Sequence, residues 1–256
     1  MSHPTTPANS TSRVSALREI WLVFRHNARI SLRQRFGIAF GVIQPLLYLV
    51  LFGPLFATIG TWETLVPGLL VQVGLLSAGM AGFGIVFDAR SGVLERLRVT
   101  PARRVSLLLG RVLSNSLTLL IQSVMLILVG YAFGLRAAVP GVLAGLVLMM
   151  LLGVSLAALS NAIALTMNSD LFAPMVSTGI VPLVLLSGAF LPMSMAPVWL
   201  DALSRVTPFR YVLEAIRDLF NGHYATWTVA AGVAVTLVLS VACVTVGTRV
   251  FNRENA

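Results

Sequence analysis

Six long intervals of the sequence contain no Asp, Glu, Lys or Arg: 36–62, 64–87, 112–135, 137–169, 171–200 and 219–248, with His223 near the start of the last. Each exceeds the ~20 residues that a helix needs to cross ~30 Å of hydrocarbon. The runs are continuously apolar, whereas the strands of a membrane barrel alternate, so a barrel is excluded. Trimmed at their polar ends, the intervals predict helices at about 37–60, 65–87, 105–133, 139–167, 171–191 and 224–248. The expected fold is an all-α polytopic membrane protein with six transmembrane helices in residues 37–250. Short links around Glu63 and Asn168-Ser169-Asp170 make tight hairpins of the first two spans and of the fourth and fifth.

A different periodicity precedes the first span. Over 15–36, Leu17, Ile20, Trp21, Phe24, Ala28 and Leu32 follow helical spacing, with Arg18, Arg25, Arg29 and Arg33 gathered beside them. An apolar stripe flanked by arginines suits an amphipathic helix lying in the membrane interface, its guanidinium groups reaching lipid phosphates. A soluble helix packed on a partner is the alternative; the span that follows at once favours the interface. Residues 1–14 read as a disordered tail and 251–256 as a short cytoplasmic one. No basic stretch leads directly into an apolar one at the start, so no cleaved signal peptide is expected.

A third pattern lies between the fifth and sixth spans. Pro208 opens a helix that Asn221-Gly222 ends. Phe209, Val212, Leu213, Ile216, Leu219 and Phe220 form one apolar face, and Arg210–Glu214 an i,i+4 pair. This amphipathic helix, 208–220, is expected at the outer membrane surface, either as a structural lid or as a gate.

Composition sharpens the membrane reading. Hydrophobic residues make up 57% and charged residues 11%, against roughly 25% charged in soluble domains. The net charge of +9 comes from arginine alone, for the chain has no lysine. Arginines beside apolar runs fit anionic headgroups better than nucleic acid. With the N-terminus inside, the cytoplasmic segments hold Arg13, Arg18, Arg25, Arg29, Arg33, Arg35, Arg90, Arg96, Arg98, Arg103, Arg104, Arg111, Arg249 and Arg253. The outer segments hold Arg136, Arg205, Arg210 and Arg217. That asymmetry places both termini in the cytoplasm of a multi-pass protein of the cell membrane. One cysteine, Cys243, and three scattered histidines offer neither a disulfide within the chain nor a metal site.

The charge is densest in "ERLRVTPARR", residues 95–104. Gly92–Val99 can form about two helical turns. Pro101 disfavours helix at Thr100 and suits the first position of the third span. Arg103 and Arg104 then sit in a first turn, where the helix dipole disfavours cations. Phosphates of lipid, or an acidic surface on a partner, would compensate.

The stretch "SGVLERLRVTPARRVSLLLGRVL" resembles the segment that follows the second of six spans in permease subunits of ABC-2 type exporters, of the daunorubicin- and doxorubicin-resistance kind. "LSGAFLPMSMAPVWLDALSRVTPFRYVLEAIRDLFNGH", residues 186–223, is similar to the same family's SG-x-x-x-P … N-P-x-x-x-x-x-x-A-x-R-x-L region, with Thr207 in place of the Asn before Pro208. The resemblance implies a homodimer or heterodimer of permeases bound to separate ATP-binding subunits. The segment 88–104 would then couple to the ATPase, through Val93, Leu94, Glu95, Arg96, Leu97 and Arg98. Arg18, Arg25, Arg29, Arg33, Arg103 and Arg104 would be interfacial. ATP and Mg²⁺ would belong to the partner, since this chain has no G-x-x-x-x-G-K and no lysine to complete one.

The resemblance also implies that the second and fifth spans line the pathway. The second carries Gly74, Ala78 and Gly82 at four-residue spacing, a close-packing stripe, with Gln72, Gly79 and Phe83 on another side. The fifth carries Ser177 and Ser187. These five, Gln72, Gly79, Phe83, Ser177 and Ser187, are the candidate pathway residues; bonding to neighbouring helices is the competing reading.

Other classes fit less well. A secondary transporter would usually carry an intramembrane carboxylate or cation for ion coupling, which all six intervals lack. A membrane enzyme would need a convergent nucleophile, base or metal set. The expected function is export of hydrophobic or amphipathic compounds in drug efflux. Lipid, glycolipid or polysaccharide export by the same fold is the alternative.

Overall fold

The computed structural model describes Trp21, Phe24, Arg25 and Arg29, residues 35–59, 62–90 and 104–190, Met193, and residues 196–253. The regular elements among these residues are all helical. In chain order they are α1 (Arg35–Ile59), α2 (Trp62–Gly79), a 3₁₀ turn (Met80–Gly82), α3 (Phe83–Arg90) and α4 (Arg104–Phe133). Then follow α5 (Val139–Thr166), α6 (Ser169–Ser187), α7 (Val198–Val206), α8 (Pro208–Phe220) and α9 (Trp227–Arg253). Trp21, Phe24, Arg25 and Arg29 are helical as well.

Five stretches are long and apolar enough to cross a membrane: Trp62–Phe87, Leu109–Phe133, Val139–Thr166, Asp170–Ser187 and Trp227–Val250. The charge-free intervals predict six. The difference is α1, a single helix of 25 residues interrupted in its hydrogen bonding by Pro45 and Pro54. The apolar stretch described within it, Gly41–Leu51, is shorter than a span.

The helices divide into a centre and a periphery. In the apolar 18-residue core of Trp62–Phe87, 67% of the residues are buried, against 22% in those of Asp170–Ser187 and Trp227–Val250. The interior joins Leu65, Leu69 and Leu70 of α2 to Leu119 and Leu126 of α4 and to Met149 and Leu152 of α5. The outward side chains are apolar too: Leu128, Val147, Val181 and Val238 are exposed. A surface of this kind requires hydrocarbon rather than water around it. Between helices in that solvent, van der Waals packing and hydrogen bonds replace the hydrophobic drive. Accordingly α5 and α9 are joined by the Ser155 and Ser240 hydroxyls, 2.6 Å apart.

One end of the bundle gathers 62–64, 133–141, 187–190 and 196–227. There the Arg136 backbone N–H donates to Glu63 Oε1 (3.2 Å), and Gly141 lies against the backbone of Leu219. The opposite end holds the close of α3, the start of α4 and the α5–α6 link, with Arg90 paired to Asp170 and Gly84 beside Arg111.

At the first of these ends, α8 has Pro208 as its first residue, and Gly222 beyond its end takes the left-handed φ of 80°. A place for this helix on the membrane surface would leave its apolar face to lipid. Protein covers that face instead: Phe209, Val212, Leu213, Ile216, Leu219 and Phe220 are all buried, and the helix packs against α2, α5, α6 and α9. A seat of small residues lets it in. A Cβ on Gly141 would lie 2.0 Å from the Leu219 carbonyl oxygen, so only glycine permits this approach.

Candidate functional site

The second span is two helices, not one. α2 and α3 meet at the 3₁₀ turn Met80–Gly82, where the i→i−4 hydrogen-bond ladder is interrupted. In hydrocarbon no water can take up the freed backbone groups. Ser160 of α5 does so: its hydroxyl donates to the Gly79 carbonyl (2.6 Å) and accepts from the Gly82 N–H (3.0 Å). Gly82 permits the contact, because a Cβ there would lie 2.6 Å from the Ser160 carbonyl oxygen. The stripe of small residues read from the sequence therefore packs on α5: Gly74 receives the Met149 side chain and Gly82 the α5 backbone.

The other side of α2 faces α6. Gly68 touches the backbone of Ala189, and Gly79 touches Ile180. Beyond the turn, the rings of Phe83 and Phe172 meet edge to face, with centroids 5.0 Å apart. Between α2, α5 and α6 lies a groove of about 170 Å³, lined by Leu75, Gly79, Leu156, Phe172, Ile180 and Leu183 among others. Its lining includes one hydroxyl, that of Ser160, already committed to α2. Such a surface can hold an apolar molecule and offers no acid or base. Among the described residues, no group of three or more His, Cys, Asp or Glu could hold a metal ion.

The candidate pathway residues separate in this frame. Gly79 lines the groove, and Phe83 adjoins it through Phe172. Gln72 shares the helical stripe of Gly68 and Gly79, is buried, and has an Oε1 without a hydrogen-bond partner among the described residues. Ser177 is exposed on α6, its hydroxyl donating to the Ala173 carbonyl at 2.9 Å. Ser187 is buried and donates to the Val184 carbonyl at 2.7 Å. Both serines thus satisfy themselves on their own helix. The coupling residues Val93, Leu94, Glu95, Arg96, Leu97 and Arg98 lie outside the described residues, as do Arg18, Arg33 and Arg103. Arg104 begins α4, and Arg25 and Arg29 are exposed.

Sequence reasoning missed Ser160, although two polar residues in succession, Ser160-Asn161, within an apolar helix are a signal. It anticipated the Arg210–Glu214 pair at the α7–α8 end but missed the network that extends from it. There Arg210 donates through Nε to Glu214 Oε1 (2.8 Å) and through Nη1 to Asp201 Oδ1 (2.5 Å) and Ser204 Oγ (2.6 Å). Arg205 closes on Asp201 Oδ2 at 2.7 Å. The Arg210 bond holds the Asp201 carboxyl below its ordinary 3.8; desolvation opposes this, and Arg205 adds to it. Arg217 differs, donating to two main-chain carbonyls, Thr64 (3.3 Å) and Gly188 (2.9 Å). Loss of hydration lowers its pKa to about 10, with the charge of Glu214 opposing, so it stays cationic at neutral pH.

Comparison with known proteins agrees with this architecture. Residues 18–221 match the ABC-2 type transporter family. A putative transport permease, ycf38, from Porphyra purpurea is 29% identical over 194 residues, which are 71% of this chain and 66% of that protein. The ycf38 permease of Cyanophora paradoxa is 28% identical over 202 residues, 73% of this chain and 68% of that one. A probable doxorubicin resistance ABC transporter permease, DrrC, of Mycobacterium tuberculosis (strain ATCC 25618 / H37Rv) is 25% identical over 191 residues, 71% and 69% of the two chains. The match to the Porphyra protein thus spans just under two thirds of that relative's length. With its family match covering most of a helical, multi-pass chain, the protein belongs to the ABC-2 type transporter family, as a membrane permease.

Proposed function

We propose that the chain is the permease subunit of an ATP-driven exporter of hydrophobic or amphipathic compounds, drugs among them. It works with a separate ATP-binding subunit, which holds ATP and Mg²⁺, and with a second permease. In this reading α1 is the first of six spans, both termini are cytoplasmic, and the α7–α8 end is the outer one. The arginine asymmetry supports that orientation. Segment 88–104, between α3 and α4, is the ATPase-coupling element.

The observation that carries the proposal is the uncharged groove between α2, α5 and α6. It suits an apolar cargo, and it adjoins the 3₁₀ turn from which α3 leads into the coupling segment. Similarity to DrrC, a probable doxorubicin resistance permease, supports the drug class. Gly179 supplies the test. It lines the groove, and nothing lies within 4 Å of the position a Cβ would take. Gly179→Phe should fill the groove without displacing backbone. Drug accumulation in inside-out vesicles is expected to fall about tenfold or more, the equivalent of ~1.4 kcal/mol, with co-purification of the ATP-binding subunit unchanged. Unaltered transport would remove the groove from the pathway. Assaying lipid translocation in the same vesicles separates a drug cargo from a lipid one.

A further inference from the structure

The Arg217 guanidinium has an unusual set of partners. It is partly buried, on a helix whose remaining inward positions are apolar. Such a charge ordinarily requires a carboxylate. The carboxylates described at this end bond to other groups: Asp201 to Arg205 and Arg210, Glu214 to Arg210, Asp218 to the Thr226 hydroxyl, and Glu63 to the Arg136 N–H, the Glu214 charge favouring the Arg217 cation without a bond to it. Arg217 is satisfied instead by carbonyls from two separate helices. The Thr64 carbonyl belongs to the first turn of α2 and the Gly188 carbonyl to the residue that ends α6. Gly188 takes a φ of 79°, the left-handed conformation that stops the helix. A cation beside that C-terminus also meets the negative end of the α6 dipole.

These two helix ends approach each other closely. A Cβ on Gly68 would lie 1.9 Å from the Ala189 carbonyl oxygen, so α2 and α6 touch backbone to backbone one turn below Arg217. The same two helices form walls of the groove further along. Arg217 therefore spans the joint that closes the groove at the α7–α8 end.

We propose that Arg217 is a positioning residue that staples the outer end of α2 to the outer end of α6, and that cargo leaves when one of its two carbonyl bonds is released. The inference rests on the reading of the groove as the pathway. A guanidinium fits the role because its planar fork reaches two acceptors at once. Carbonyl acceptors fit it because neutral partners let go more readily than a buried carboxylate would. Lysine, shorter and a point charge, would preserve the cation without the fork.

The experiment is hydrogen exchange by mass spectrometry on the permease–ATPase complex in nanodiscs, alongside drug transport and ATP hydrolysis. Arg217→Gln should raise exchange about tenfold or more in both 62–70 and 184–190, on the scale of losing charge-assisted bonds. Exchange in 208–220 should stay protected, and transport per ATP hydrolysed should fall. Arg217→Lys should share both defects. Full restoration by lysine, or exchange rising at one helix end alone, would overturn the staple. Should both variants lose α8, the wild-type complex still decides. Its two helix ends should change protection together between the nucleotide-free state and the ATP-bound state of a hydrolysis-deficient ATPase, and independent changes would overturn the proposal. A complex that shows the linked exchange but moves no drug would refute the cargo reading and leave the staple standing.

Discussion

The two ends of the bundle treat charge in opposite ways. At the α7–α8 end the chain answers its own charges: Asp201, Arg205, Arg210 and Glu214 form one network, and Arg217 is held by carbonyls. At the other end the described ion pair is Arg90–Asp170, with both side chains more than half exposed. α4 opens there on Arg104 with no acidic residue in its first turn, against the helix dipole. Arg25 and Arg29 of the N-terminal segment are exposed. A membrane protein can leave arginines in this state only where something else supplies the anion. Lipid phosphate can do so along a helix in the interface; a partner subunit can do so at a shaped segment. On the function proposed, the self-contained end is the lid and the other end the docking face.

The largest expected effect tests the docking face. If 88–104 is a shaped coupling element, Leu97→Asp should abolish co-purification of the ATP-binding subunit and reduce drug transport about tenfold or more, equivalent to ~1.4 kcal/mol. Glu95→Ala should weaken both. Membrane insertion, checked by fractionation, should remain. Normal binding and transport in both variants would leave the arginines a lipid-anchoring role alone, and the two ends would then differ only in solvation.

A smaller effect is expected at the lid, and it depends on pH. Asp201 has a folded pKa below its ordinary 3.8, chiefly through the Arg210 bond. A carboxyl depressed in this way stabilises the fold at every pH above the ordinary value and loses that contribution as pH falls through the lower folded one. In the wild type, α7 should therefore stay protected from exchange at pH 7 and loosen below about pH 4. Asp201→Asn should show the loosened state already at pH 7, with little further change on acidification. Equal acid sensitivity in the two proteins would mean that the network does not hold α7 on α8.

Part of this contrast was legible in the sequence. A bilayer demands long unbroken apolar helices, so charge-free intervals outline α2 to α6 and α9 without any knowledge of their partners. The limits of α8 are written in Pro208 and Gly222. What its apolar face meets is not, because amphipathicity states that a face needs cover and leaves the cover unnamed. Here the cover is protein, from α2, α5, α6 and α9. The 3₁₀ turn was hidden for a related reason. Gly74, Ala78 and Gly82 announce close packing, but the break shows only once Ser160 from another helix is seen to bond both sides of it. Ser177 and Ser187 are candidate pathway groups in a one-dimensional reading, and the structure adds that each hydroxyl donates to a carbonyl of its own helix. Arg217 stands in a recognisable A-x-R-x-L motif, yet its acceptors are main-chain atoms, on which side-chain identity leaves no mark.

The smallest expected effect concerns Arg90–Asp170, and it sharpens what docking requires. The pair joins the last residue of α3 to the first turn of α6, so it spans from the helix leading into the coupling segment to a wall of the groove. Position alone would make it a transmission link. Solvation argues otherwise: an ion pair this exposed is worth roughly 0–1 kcal/mol. Arg90→Gln should therefore leave thermal stability and ATPase binding nearly unchanged, and added salt should mimic the substitution in the wild type. The Phe83–Phe172 contact, screened from water and unaffected by salt, then remains to tie α3 to α6. A double-mutant cycle on transport rate separates the cases. Arg90→Gln, Asp170→Asn and the double variant should show coupling below about 1 kcal/mol. A larger coupling, persisting at high salt, would mean that the pair is shielded in the working complex. The open end would then hold one built-in link of its own, and the partner subunit would cover it.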